Sequence, residues 1–202
     1  MLILTLYFKF KDLVAITLLM SSVADLMDFY EKIRKNNKIK KSDAKELENM
    51  SLKLLHQTNE KLRTCIGMFN LLIGEITNLL TREFPKDQSL HTYSKIIEEI
   101  VSTKPTDLIS LFVINIYGND QYRKYILDGN DKFFISHDHK SVTGDEKNKI
   151  QMMFQFKSYW GTLGESNKIY IKGVMKTLIE ISEMYIGKKD DGNKIADLLK
   201  VI

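Results

Sequence analysis

The sequence predicts an all-α fold, an irregular helical bundle of about seven helices. Apolar residues recur at steps of three and four along most of the 202-residue chain, which places them on one face of each helix. The chain has only two prolines, Pro85 and Pro105, and because proline breaks helices, their scarcity permits long ones. A composition with 44% hydrophobic and 28% charged residues is typical of a folded protein. At most a vestigial strand is expected, near residues 133–135.

Residues 2–34 follow one helical pattern with more apolar surface than a single core-facing stripe requires. Leu18 and Leu19 lie off the main stripe, so we expect the helix to be covered by the core or by a partner. Lys9 and Lys11 interrupt the apolar residues, which leaves runs shorter than the roughly 20 residues of a membrane span. A membrane-surface anchor is the alternative. The stripe, which is the predicted partner-binding surface, comprises Leu13, Ile16, Met20, Val23, Met27 and Tyr30.

A basic run covers residues 32–41, where six of ten residues are Lys or Arg. It is interpreted as a solvated connection between two helices. The alternative is a nucleic-acid contact, because phosphates are bound by charge without a sequence motif. The run has no aromatic residues for base stacking, and the overall charge of +4 is too small to imply a polyanionic partner. The candidate contacts are Lys32, Arg34, Lys35, Lys38, Lys40 and Lys41.

The clearest helical pattern is a seam of residues from Leu47 to Leu80. We expect Ser42 to cap its N-terminus, and the helix must end near Phe84 because Pro85 disfavours the helical conformation in the preceding residue. The upstream half is more polar, so tight packing is expected only downstream of it. Together with residues 2–34 this helix predicts a long helical hairpin over 1–84. The seam comprises Leu47, Ser51, Leu55, Thr58, Leu62, Ile66, Phe69, Ile73, Ile76 and Leu80.

Shorter helices are predicted in a compact region over 85–202, packed on the hairpin as one structural unit. Thr106 and Ser166 are N-cap candidates, and Gly118 and Gly187 are expected to end helices in the left-handed conformation. The ten glycines are otherwise assigned to turns and helix ends. The sequence Asp128–Asp131 predicts a turn, and the polar stretch 136–148 a loop. The expected helices cover residues 90–101, 107–117, 121–127 and 167–186.

No group of residues predicts catalysis, a metal site or a bound cofactor. Glycine-rich phosphate-binding motifs are absent, and the single cysteine, Cys65, lies on the seam side of its helix, where thiols are inert. One cysteine also excludes an internal disulfide and suits a reducing, intracellular compartment. His137 and His139 could reach one ion from an extended segment, but a closed site needs more ligands. The carboxylate pairs 98–99 and 190–191 are expected to be solvated.

Four short motifs carry a resemblance to a viral family. They are Arg82–Pro85 at a helix end, Asn130–Phe134, Tyr159–Leu163 and Ser166–Lys168. In this arrangement, spread over about half of the chain, the sequence resembles uncharacterised proteins of large nucleocytoplasmic DNA viruses, the giant viruses. The resemblance implies a viral protein found in the virion or the host cytoplasm, and it carries over no catalytic residue.

The sequence therefore predicts a non-enzymatic structural or assembly protein that acts through helical contacts. With the viral resemblance, the expectation becomes a minor virion or capsid component. The expected partners are other protein subunits, in a homo-oligomer or a larger assembly, with no cofactor and no membrane span. The alternative is a nucleic-acid-binding accessory protein that uses the basic run 32–41.

Overall fold

The computed structural model describes residues 20–35, 41–135 and 158–202, and these ranges are helical with short turns and contain no strand. The all-α prediction is confirmed. The vestigial strand is not found, since Lys132–Ile135 forms a helical turn. The helices are α1 (Met20–Lys35), α2 (Lys41–Glu83), α3 (Gln88–Thr103), α4 (Asp107–Phe112), α5 (Asp120–Leu127), α6 (Lys132–Ile135), α7 (residues 158–162) and α8 (Glu165–Val201), with a π-helical segment (Val113–Tyr117) after α4.

The chain forms two compact units. The first comprises the described residues of Met1–Leu62 together with Gly187–Ile202, and the second comprises the described residues of Arg63–Ile186. This division differs from the predicted boundary at residue 84, because α2 and α8 each contribute residues to both units. Pro85 ends α2 as expected. The boundary between the units lies inside α2, because different parts of this long helix pack in different cores.

The core of the first unit joins residues that are far apart in sequence. Leu26 of α1 and Leu47 of α2 are at most 1% exposed, and both belong to one cluster with the C-terminal part of α8. Burying a leucine side chain contributes roughly 1.5–3 kcal/mol, so these contacts hold the three segments together. The buried members are Val23, Leu26, Leu47, Leu54, Ile195 and Leu198.

Aromatic contacts mark the interior of the second unit. Phe69 of α2 meets Phe112 of α4 edge to face, with ring centroids 5.2 Å apart. Phe134 of α6 stacks on Trp160 of α7 at 3.8 Å, and both side chains are at least 98% buried. The segment predicted as a vestigial strand is therefore a helical turn whose Phe134 side chain is buried in the second unit.

Helix starts follow the expected capping chemistry where a short polar side chain is available. Asp87 caps α3 by accepting hydrogen bonds from the backbone N–H groups of Ser89 and Leu90. The Tyr159 hydroxyl donates a further hydrogen bond to the same carboxylate, which ties α7 to the start of α3. Thr106 occupies the N-cap position of α4, but its side chain makes no capping hydrogen bond.

Three expectations about helix ends were wrong. Helix α8 continues through Gly187 to Val201, because the residues beyond it include the buried Ile195 of the first core, and packing outweighs the roughly 1 kcal/mol helix penalty of glycine. Ser166 lies inside α8, which begins one residue earlier. Gly118 follows the end of the helical segment at Tyr117, as predicted, but its φ of −68° is not left-handed. Among the described glycines, Gly129 alone has a positive φ, 64°, in the turn predicted over Asp128–Asp131.

Candidate interaction groove

The buried face of α2 in the second unit lies one residue away from the predicted seam. The seam residues Leu62, Ile66, Ile73 and Ile76 are only half-buried. The helix carries apolar residues on more than one side, so spacing alone could not decide which side faces the core. Phe69 and Leu80 are buried as predicted, and the other buried hydrophobic residues of this part of α2 are Cys65, Leu72 and Leu79.

The side of α2 that the core leaves open forms one wall of a groove within the second unit. The groove has a volume of about 730 Å³ and an almost entirely apolar lining. Helix α3 and the turn that follows it form the other wall, through Ile97, Val101 and Pro105. From α2 the lining comprises Arg63, Ile66, Gly67, Asn70, Leu71 and Gly74.

Two glycines leave the backbone of α2 uncovered along this groove. A Cβ atom added to Gly67 or to Gly74 would meet nothing within 4 Å, so neither glycine is required by a contact with another described residue. Between them, Leu71 is 56% exposed. Each glycine weakens the helix by about 1 kcal/mol relative to alanine. This side of α2 therefore combines an uncovered backbone with an exposed apolar side chain.

Asn70 is the one strongly buried polar side chain of the groove, with 7% exposure. Its Nδ2 donates a hydrogen bond of 2.9 Å to the carbonyl oxygen of Pro105, which links α2 to the segment before α4. A carbonyl group only accepts, so the amide orientation is set by this bond. The Oδ1 atom is buried and has no hydrogen-bond partner among the described residues. An unsatisfied buried acceptor costs about 1–3 kcal/mol.

The groove has charged residues of opposite sign at its two ends. The hydrogen bond from Asn70 to Pro105 brings the end of α3 beside the middle of the groove, while α3 begins just after α2 ends, so α3 runs back along α2. Of the two charged lining residues, Glu98 therefore lies toward the Gly74 end, and Arg63 lies at the opposite end. The distance along α2 from Arg63 to Gly74 is about 16 Å, at 1.5 Å per helical residue. The groove thus combines an apolar centre with charged ends, the usual composition of a protein-binding surface.

Sequence reasoning missed this site because it assigned the glycines to turns and helix ends. Gly67 and Gly74 lie in the interior of α2, seven residues apart and therefore on one face. A glycine within a helical pattern indicates close approach by another segment, and that spacing was the available signal.

Part of the predicted partner-binding stripe of the first helix is buried inside the first unit. Val23 is 5% exposed, and Met27 and Tyr30 pack against the same cluster, so these three side chains are engaged within the first unit. Met20 begins α1, and Leu13 and Ile16 lie outside the described residues.

The basic run is only partly described. Lys32, Arg34 and Lys35 are exposed in the last turn of α1, where cations interact favourably with the helix dipole. Arg34 also pairs with Glu31 at 3.5 Å. Lys41 begins α2, and Lys38 and Lys40 lie outside the described residues.

The reactive residues considered from the sequence form no catalytic arrangement in the part of the chain that the structure describes. Cys65 is buried, as expected. No group of three or more potential metal ligands occurs among the described residues, which exclude His137 and His139.

One of the two carboxylate pairs differs from the expectation of full solvation. Asp190 is exposed, but the Asp191 side chain is only 13% exposed and pairs with the equally buried Lys188 at 2.6 Å. Burial, together with the neighbouring charge of Lys188, lowers the pKa of Lys61. This ion pair has a structural explanation, because an i, i+3 spacing on α8 places the two groups side by side.

One described helix, covering Ala44–Glu83, is long and apolar enough to cross a membrane by length and composition alone. In its most apolar stretch 39% of the residues are buried, and a core helix meets the same two conditions, so this finding is weak evidence for a span.

No protein-family model, curated protein or solved structure matches this chain.

Proposed function

We propose that the chain is a non-enzymatic assembly protein that binds another protein in the groove between α2 and α3. The observation that carries the proposal is the apolar groove along α2, where the glycine-flanked Leu71 is 56% exposed. Removing apolar surface from water contributes roughly 25 cal/mol per Å². A partner that covers this groove gains that free energy, and the two glycines let its backbone approach closely.

The partner's contacting segment is expected to be helical. An amphipathic helix in an apolar groove is a common mode of recognition, and it uses side chains spaced three, four and seven residues apart. The groove extends for about 16 Å along α2, which corresponds to about three turns of a bound helix. The resemblance to giant-virus proteins suggests a minor virion or capsid component, in the virion or the host cytoplasm, as the setting of this contact.

Site-specific crosslinking in cells that produce the protein tests the proposal. A photoreactive phenylalanine analogue replaces Leu71 in the groove, and the same analogue replaces Ile169 of α8 as the control. Ile169 is a suitable control because it is 63% exposed and does not line the groove. We expect discrete protein adducts from position 71 that are absent from position 169.

A second variant establishes whether these adducts depend on the groove. Gly67→Leu and Gly74→Leu together fill the open space along α2, so they should abolish the adducts from position 71. Identical adducts from positions 71 and 169, or adducts that persist after the groove is filled, would contradict the proposal.

A nucleic-acid role is the second candidate, favoured by the exposure of Lys32, Arg34 and Lys35 at the end of α1. Changing all three to Glu should leave the groove adducts unchanged if the assembly proposal is right. A salt titration of duplex DNA binding measures the alternative. Binding that weakens with salt and is lost in the triple variant would favour the nucleic-acid role, because phosphate contacts release counterions.

A further inference from the structure

We propose that the groove binds a second copy of the chain, with the two α2 helices packed antiparallel through the face that carries Gly67, Asn70, Leu71 and Gly74. This inference rests on the proposed interaction function and names the partner. Its basis is that the face is complementary to itself in shape and in charge.

The shape argument follows from helix geometry. Gly67, Asn70, Leu71 and Gly74 stand at positions i, i+3, i+4 and i+7, the four residues that form a hole for an incoming side chain in knobs-into-holes packing. Glycine at two corners makes this hole wide, and no other described residue comes within 4 Å of the space a Cβ would occupy there. The exposed Leu71 is a knob on the same face. A two-fold contact requires this combination, because the same patch must supply both surfaces.

The charges select the antiparallel orientation. Arg63 and Glu98 lie at opposite ends of the groove. When two copies are related by a two-fold axis that reverses α2, Arg63 of each copy lies near Glu98 of the partner subunit. The contact then contains two opposite-charge pairs, whereas the parallel arrangement brings like charges together. Complementary charges of this kind determine orientation and exclude wrong pairings.

Analytical ultracentrifugation of the full chain over a concentration series tests the inference. We expect a reversible monomer–dimer equilibrium for the natural sequence. Gly67→Ala combined with Gly74→Ala should raise the dissociation constant at least about tenfold, because the added methyl groups keep the backbones apart. The same double variant should melt at the same temperature as the natural chain or higher when both are monomeric, since alanine favours the helix and both sites are open.

Gly173→Ala is the matched control. Gly173 lies within α8, a Cβ there also meets nothing within 4 Å, and it does not line the groove. The Gly173→Ala variant should stabilise α8 without changing the dissociation constant of the dimer. A charge-swap pair tests the orientation: Arg63→Glu and Glu98→Arg should each weaken the dimer, and their combination should restore it.

The outcomes separate this inference from the proposed function. A chain that sediments only as a monomer, or a dimer unaffected by the double glycine variant, overturns the second-copy proposal. If position 71 then still forms groove-dependent adducts with a different protein, the interaction function stands and the partner is not a second copy. Adducts of twice the 23.5 kDa chain mass support both. If the chain forms no dimer and position 71 forms no groove-dependent adduct, both proposals are overturned.

Discussion

The apolar stripe of α1 and the apolar groove along α2 have similar sequence patterns, but their surroundings differ. Leu26 of α1 is 1% exposed within the core of the first unit, whereas Leu71 of α2 is 56% exposed beside a groove in the second. The sequence left open whether the core or a partner covers α1, and it predicted tight packing of α2 from Leu62 onward. Periodicity identifies the residues that share a helical face, but it does not identify what covers that face.

The difference arises from residues that are distant in sequence. Helix α1 is covered by α2 and by Ile195 and Leu198 near the C-terminus, which local patterns could not connect to it. Along α2, burial favours Cys65 and Leu72 over the neighbouring Ile66 and Ile73, and this choice leaves one apolar side for the groove. An excess of apolar residues therefore predicts that something covers a helix, and the tertiary structure decides whether it comes from the same chain.

The largest expected effect on the free energy of unfolding is at the buried Leu26 of α1. Leu26→Ala should lower the free energy of unfolding by about 2–5 kcal/mol, because it removes buried methyl groups and leaves a cavity. Urea denaturation measures the change. Asp25→Ala, at the adjacent exposed position, is the control and should change the same quantity by no more than about 0.5 kcal/mol. Equal effects of the two variants would show that α1 is not part of the core.

An intermediate effect is expected at the start of α3. Asp87→Ala should lower the free energy of unfolding by about 0.5–2 kcal/mol, because the helix loses its N-cap. Tyr159→Phe removes the hydrogen bond to Asp87 and keeps the backbone cap, so its smaller loss separates the two contributions. An Asp87→Ala effect no larger than that of Tyr159→Phe would contradict the capping role.

The same carboxylate makes stability depend on pH. The hydrogen bond from Tyr159, followed by those from the backbone, lowers the pKa of Asp87 below its ordinary value of 3.8. Because the folded-state pKa is the lower one, the stabilisation is complete above the ordinary value and is lost as the pH falls through the lowered folded-state value. Asp87→Asn keeps a capping side chain without the charge, so its stability difference from the natural chain should shrink in acid. A constant difference would contradict the shift.

The smallest effect on the free energy of unfolding is expected at the exposed Leu71 of α2. Leu71→Ala should change the free energy of unfolding of the monomer by about 0.5 kcal/mol or less, because the side chain is exposed. Leu72→Ala, one residue further along the same helix and 4% exposed, should cost about 2–5 kcal/mol. Denaturation at low protein concentration compares the two. Similar losses would show that the groove residue belongs to the core.

Much of the local structure followed from the sequence, because it depends on nearby residues. The all-α class, the end of α2 before Pro85 and the turn at Gly129 follow from proline and glycine geometry and from spacing. The Gly187 prediction failed for a measurable reason. A helix penalty of about 1 kcal/mol is smaller than the several kcal/mol gained by burying Ile195 and Leu198 beyond it.

The sequence by itself determined which residues of α2 can line the groove: two glycines and a leucine on one helical face, with an asparagine beside them. Only the tertiary structure decided that this face stays open, that Asn70 bonds to Pro105 across 35 positions, and that Arg63 and Glu98 lie at opposite ends. The physical reason is that backbone preferences act over a few residues, whereas burial depends on which distant segments pack together.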